Sequence, residues 1–291
     1  MTRRTSTSIG FVAVLLWALL ALFTVGTAPV PPFLLNALTF ALGGALGVSW
    51  VTATGGWHKL HAVPLRVYLF GTIGLFGYHA LYFSALRLAP PAEASLIAYL
   101  WPLLIVLFSG LLPGERLGPL HILGACIAFS GAALIVAPGP DGFTGGIGLI
   151  LAGLCALTWS GYSVLSRRLG AIPTESVAVF CLATAVLSLP AHLIFETTYW
   201  PAAPAGWLAI VGLGLGPVGL AFYVWDIGMK NGDIQLLGAS SYAAPLFSTL
   251  ILIVAGLADP RPSLLLAAAL IAGGAGLAAL GSARAQRRLI K

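Results

Sequence analysis

Ten apolar stretches, each close to the length of one bilayer crossing, follow one another along this chain with only short connections between them. They run Ile9–Gly26, Pro32–Trp50, Leu65–Leu86, Ala92–Leu112, Leu120–Ala137, Gly146–Leu165, Ser176–Ile194, Trp207–Gly228, Ile234–Leu257 and Ser263–Ser282. About 20 apolar residues in a helix cross the hydrocarbon core, so the pattern predicts an all-α integral membrane protein of ten transmembrane helices. The connections leave no room for a soluble domain. Composition agrees: 59% of the 291 residues are hydrophobic and 8% are charged, against about 25% charged in a soluble domain. That excludes a soluble enzyme, a nucleic-acid-binding domain and a disordered chain. The net charge of +6 needs no nucleic acid, because membrane proteins gather Lys and Arg in cytoplasmic loops.

The direction of insertion follows from the same rule. With the N-terminus in the cytoplasm, the inner segments hold Arg3, Arg4, Lys59, Arg66, Arg116, Arg167, Arg168, Lys230, Arg284, Arg287, Arg288 and Lys291, and the outer ones only Arg87 and Arg261. Both termini are therefore expected in the cytoplasm. Cys126, Cys155 and Cys181 lie singly in apolar runs. With no CxxC or Cys/His cluster, neither a metal site, a disulfide framework nor a cofactor is expected, and the thiols read as packing groups.

The chain also repeats itself. Tyr99-Leu100-Trp101-Pro102 and Tyr242-Ala243-Ala244-Pro245 are both Tyr-x-x-Pro, 143 residues apart. Tyr82 and Tyr223 are 141 apart, Trp17 and Trp159 are 142 apart, and Gly131 and Gly274 are 143 apart. One offset near half the chain pairs spans one, three, four and five of residues 1–140 with six, eight, nine and ten of 141–291, and order in the chain then pairs span two with seven. It also argues against reading the first span, behind Arg3 and Arg4, as a cleaved signal peptide. Five is odd, so the second repeat enters the membrane from the opposite side. Inverted repeats of this kind place a substrate site at their interface near the midplane of secondary transporters.

Chemistry-bearing residues inside the spans are few. All eight carboxylates, Glu93, Glu115, Asp141, Glu175, Glu196, Asp226, Asp233 and Asp259, fall at span ends or in loops. That argues against a mid-membrane acid exchanging protons for a cationic drug. Glu93 suits a helix N-terminus, and Asp226 near Lys230 reads as a solvated inner rim. His79 is the histidine deep in a span, beside Tyr78 and Tyr82, which share a helix face. It reads as a hydrogen-bond donor or proton carrier lining a cavity, against a plain interhelical bond. Trp17, Tyr78, Tyr82, Tyr99, Trp101, Trp159, Tyr162, Tyr223, Trp225 and Tyr242 lie within spans one, three, four, six, eight and nine, and predict an aromatic cavity walled by those six helices. Pro102 and Pro245 interrupt spans four and nine, freeing the carbonyls of Ala98 and Ser241; they read as paired hinges. Gly214-Leu-Gly216-Pro-Val-Gly219 fits a dinucleotide fingerprint by spacing only, since it lies in an apolar span with no strand before it.

These features resemble the EamA-type branch of the drug/metabolite transporter superfamily over nearly the whole chain. The residues that carry the likeness are Leu16-Trp17, Glu93 six residues before Tyr99-Leu-Trp-Pro102, Trp225-Asp226-x-Gly228-x-x-x-Gly232, and Ser241-Tyr242-x-x-Pro245-Leu246. Asp226 stands where Asn is expected in relatives, so no charge-dependent role is carried onto it. The resemblance implies a monomeric exporter of the bacterial inner membrane, handling amino acids with aromatic ones favoured, or else a proton-coupled exporter of toxic aromatic cations. On that reading aromatic walls including Trp17, Trp101 and Trp159 hold the side chain. The hydroxyls of Tyr78, Tyr82, Tyr99, Tyr223, Ser241 and Tyr242, with His79, bind the carboxylate, and the freed carbonyls bind the ammonium. An intramembrane hydrolase is the reading from another class; no nucleophile motif supports it.

Overall fold

The computed structural model describes residues 1–136, 146–169, 171–260 and 262–289. Asp141, Arg261 and Lys291, and the expected repeat boundary at 140/141, lie outside the described residues. Among the described residues eight helices are long and apolar enough to cross a membrane: α1 (Arg3–Gly26), α2 (Pro32–Thr54), α3 (Leu65–Leu88), α6 (Gly146–Arg168), α7 (Ser176–Phe195), α8 (Pro204–Asn231), α9 (Ile234–Val254) and α10 (Ser263–Ala285). Two shorter apolar helices, α4 (Glu93–Ser109) and α5 (Pro119–Ile135), complete the set.

Local chemistry sets the ends. Thr2 caps α1 by accepting the Thr5 N–H, so the helix begins at Arg3, well before the apolar run. The Phe33 and Leu34 N–H groups at the start of α2 donate to the Glu196 carboxylate, 2.9–3.1 Å away. This is a charged cap borrowed from the end of α7. Gly55, at φ 65°, terminates α2 in the left-handed conformation that a side chain resists. Lys59, in the connection after α2, reaches Glu175 at the start of α7, so one ion pair holds this connection to α7 on one face, and Glu196 ties α7 to α2 on the other.

Packing obeys the expected symmetry. Pairing α1 with α6, α2 with α7, α3 with α8, α4 with α9 and α5 with α10, the contacts α5–α10, α2–α7 and α4–α9 map onto themselves. The contact α3–α6 maps onto α8–α1, α4–α6 onto α9–α1, and α3–α7 onto α8–α2. The molecule is two inverted five-helix repeats, each helix leaning on the other repeat. Glycine permits the closest approach: a Cβ on Gly124 would sit 2.5 Å from the Gly274 carbonyl oxygen, so α5 and α10 touch backbone to backbone.

Four helices are irregular. Turns interrupt α4 between Ala98 and Trp101, and α9 between Ser240 and Ala243, just before the two prolines. A bend at Leu19 divides α1, and a π-helical turn occupies Gly216–Leu220 of α8. Helix breaks of this kind expose backbone groups where a cavity or partner can use them. On the N-terminal side of these breaks the two groups of helices are packed together: Trp101–Ser109 against Ile234–Ser240, and Ala221–Asn231 against α6. On the far side, the first half of α4 stays with α3 and α6, while Leu20–Gly26 stays with Pro204–Leu215 and Ala243–Val254. The space between the two groups therefore opens away from the N-terminus.

Candidate functional site

A connected set of rings lies where the helices are broken. Trp17 on α1 is central: its ring is 5.0 Å from Trp225, 5.9 Å from Trp101 and 5.9 Å from Trp159. These four indoles come from α1, α4, α6 and α8 and form a floor. Its underside is closed, with Trp101, Trp159 and Trp225 only 7%, 3% and 1% exposed. The polar ends of two indoles are fixed. Trp17 Nε1 donates to the Pro217 carbonyl at 3.1 Å, inside the π-helical turn, and Trp225 Nε1 donates to Ser163 Oγ at 3.1 Å. An indole N–H buried in lipid-depth protein needs such an acceptor, and the π turn supplies one.

Above the floor, on the open side, the walls are aromatic with polar tips. Tyr78 stacks on Tyr82 with ring centres 6.1 Å apart and leans on Trp159 at 5.4 Å. The Tyr82 hydroxyl bonds Ser95 Oγ at 3.1 Å, joining α3 to α4. Tyr99 is beside Tyr82, and its hydroxyl makes no hydrogen bond among the described residues. Trp17, Tyr78, His79, Tyr82 and Tyr99 are all partly exposed, although rings from other helices surround them.

His79 has a defined polarity. Nδ1 is 2.7 Å from the Leu75 carbonyl oxygen. A carbonyl can only accept, so Nδ1 carries the proton. Nε2 has no partner among the described residues, and in the neutral ring it is an acceptor. The ring is boxed edge-on by Phe40 at 4.9 Å, Tyr78 at 5.0 Å, Phe83 at 6.0 Å and Phe222 at 6.3 Å.

The fold thus brings together Trp17, Tyr78, His79, Tyr82, Tyr99, Trp101 and Trp159 of the sequence candidates. Three others lie elsewhere, in the packed part of the molecule. Tyr223 is buried and donates to the Gly43 carbonyl of α2 at 2.9 Å. Ser241 is buried and donates to the Leu237 carbonyl at 2.7 Å. Tyr242 is buried and its hydroxyl accepts the Leu103 N–H at 3.0 Å. Pro102 and Pro245 sit in the first turns of the half-helices after the breaks. The Ser241 carbonyl, expected free, accepts the Ala244 N–H at 3.0 Å, because a tight turn reforms the bond that proline denies. Asp226, expected at a solvated rim, is instead buried, 3% exposed, between Lys230 Nζ at 2.8 Å and the Thr174 hydroxyl at 2.7 Å. Sequence reasoning missed Phe40, Phe222 and the Pro217 turn. The one signal for the last was a proline inside an apolar run, next to the spacing set aside as a false fingerprint. Among the described residues no group of three His, Cys, Asp or Glu side chains is placed to hold a metal ion.

Comparison with known proteins gives the same architecture. The chain matches the EamA-like transporter family twice, over residues 6–137 and 146–280. It is 55% identical to an aromatic amino acid exporter YddG from Ancylobacter novellus, over 96% of this chain and 99% of that protein. It is 27% identical to the aromatic amino acid exporter YddG of Salmonella typhimurium, over 86% of this chain and 88% of that one. A crystal structure at 55% identity superposes with a TM-score of 0.92, covering 97% of this chain and 99% of the other. The chain belongs to the EamA-like transporter family and is a multi-pass membrane protein.

Proposed function

We propose that this protein exports amino acids, aromatic ones favoured, by alternating access through the aromatic cavity. The observation that carries the reading is the 55% identity to an aromatic amino acid exporter over nearly all of both chains. The cavity chemistry supports it. Trp17, Trp101 and Trp159 offer ring faces for an aromatic side chain. The hydroxyls of Tyr78, Tyr82 and Tyr99 suit a carboxylate. His79 Nε2, an acceptor, suits the ammonium group instead of the carboxylate that sequence reasoning gave it. Tyr223, Ser241 and Tyr242 would then serve the opposite-facing state, in which the second repeat takes the geometry of the first. Pro102 and Pro245 serve as the hinges of that exchange.

The protein sits in the bacterial inner membrane with both termini cytoplasmic, works as a monomer, and divides into repeats at 1–140 and 141–291; the Lys/Arg distribution supports the orientation and the two family matches support the two repeats. The cavity then faces the outside. A proton-coupled exporter of aromatic cations is the less favoured reading, because all eight carboxylates fall at span ends or in loops. Purified protein in liposomes is the test. Labelled tryptophan or phenylalanine should cross faster than in protein-free vesicles, with no need for an imposed pH gradient. Flux of aromatic cations alone, dependent on that gradient, would overturn the proposal.

A further inference from the structure

The closed side of the molecule is held by a charge cluster whose positions are uncharged in the other repeat. Glu115, in the connection after α4, is the hub. Its two oxygens take Arg167 from the end of α6 at 2.5 Å, Arg3 from the start of α1 at 3.3 Å and the Gln235 amide of α9 at 3.2 Å. Arg3 also reaches Asp233 at 3.5 Å. Arg167 donates to the carbonyls of Met229 and Gly232, at 2.8 and 2.9 Å, where α8 turns into α9. The Glu115 and Asp233 side chains are 7% and 6% exposed, so little water screens the cluster. It joins α4 and α6 of one helix group to α1, α8 and α9 of the other, across the seam that would have to part for this side to open.

The repeat offsets carry these positions to the open side. At 142 residues, Arg3 corresponds to Gly145 and Arg167 to Val25; at 143, Glu115 corresponds to Ala258 and Asp233 to Pro90. None of the four mates is charged. Asp259, next to the mate of Glu115, is exposed and makes no ion pair among the described residues, and the acids Glu93 and Glu196 of that side stand at other positions of the repeat. Closing the far side would thus not rebuild this cluster from the equivalent positions, whereas opening the near side breaks it. Removing a buried charge from its partner is costly, because the abandoned charge must be rehydrated or left unpaired.

We propose that the Arg3–Glu115–Arg167–Asp233–Gln235 cluster is a one-sided latch: it makes the state closed on the N-terminal side the resting state, and its rupture is the energetic threshold for loading. The two repeats are alike in fold but unequal in gating, and the inequality resides in these side chains.

The test needs no substrate, so its outcome is separate from the substrate reading. Ser6 is fully buried on the N-terminal half of α1, its hydroxyl without a partner among the described residues, and Ser6→Cys is a near-isosteric reporter. In nanodiscs, with Cys126, Cys155 and Cys181 replaced by Ala, maleimide labelling of Ser6→Cys should be slow. Adding Glu115→Gln should speed it by about tenfold or more, since a shift of the opening equilibrium of that size needs only 1.4 kcal/mol of the broken contacts. Arg3→Gln removes a side chain that is 39% exposed and leaves Arg167 on Glu115. It should fold normally and speed labelling by a smaller factor, about two- to fivefold. Labelling unchanged by Arg3→Gln, and equally unchanged by Glu115→Gln where that variant folds, would overturn the latch.

Discussion

His79 shows how much one hydrogen bond decides. The Leu75 carbonyl fixes the proton on Nδ1, and the aromatic box around the ring offers nothing to stabilise a second one. The side chain is therefore a directional acceptor, not a charge. On the proposed reading, His79→Leu should weaken competition by aromatic amines that lack a carboxylate. The loss should be about tenfold or more, the worth of a hydrogen bond to a charged group. Competition by aromatic acids that lack an ammonium group should stay within about twofold, since no partner of theirs is touched. Competition binding with phenethylamine and phenylpropionate separates the two. If the acid is lost and the amine kept, His79 is the carboxylate's partner after all. Tyr99 and Tyr242 make the complementary point. They are the same residue type 143 positions apart, yet one hydroxyl has no partner among the described residues and the other accepts the Leu103 N–H in the packed interior. Sequence cannot distinguish them, because on the proposed alternation the difference belongs to the conformational state.

Among the elements, the breaks in α4 and α9 are where, on the proposed reading, local chemistry becomes mechanical. Proline at position 102 denies the Ala98 carbonyl its helical partner, and the turn before Trp101 follows. Pro102→Ala should restore a continuous helix. Its thermal midpoint should match or exceed the parent's, since an interior helix proline costs about 3 kcal/mol. Flux in liposomes should nonetheless fall severalfold, because α4 could no longer bend. Full flux from a stabilised variant would show that the break is only a packing feature. The contrast between α4 and α8 also marks what was legible. Ten spans, their pairing and the aromatic helices were readable because apolar length and a fixed offset are properties of sequence. The π turn at Gly216–Leu220 was not, because it exists to bring the Pro217 carbonyl under Trp17, a contact 200 residues long-range. Burial of Asp226 was hidden for a similar reason: Thr174, which helps satisfy it, comes from a connection 52 residues earlier.

At the scale of the whole molecule, the inverted repeats turn each observed asymmetry into a statement about a second state. In the present state Tyr242 reaches across from α9 to satisfy the Leu103 N–H on α4, an orphan donor near the start of a half-helix. The mirrored bond would run from Tyr99 to the N–H of Leu246, the mate of Leu103 at 143 residues. Each tyrosine would therefore strap the repeats together in one state and swing free in the other. Tyr242→Phe leaves the Leu103 N–H buried without an acceptor, a loss of about 1–3 kcal/mol charged to the present state alone. Tyr99→Phe removes nothing from this state but destabilises its mirror image. The two substitutions should consequently push the equilibrium in opposite directions. Spin labels at Leu88 on α3 and Leu257 beyond α9, both exposed and on opposite helix groups, report the width of the open side. Tyr242→Phe should enlarge the population with the shorter distance, and Tyr99→Phe should deplete it. A shift in the same direction for both would mean that the two hydroxyls do not exchange roles, and that the repeats alternate without this pair.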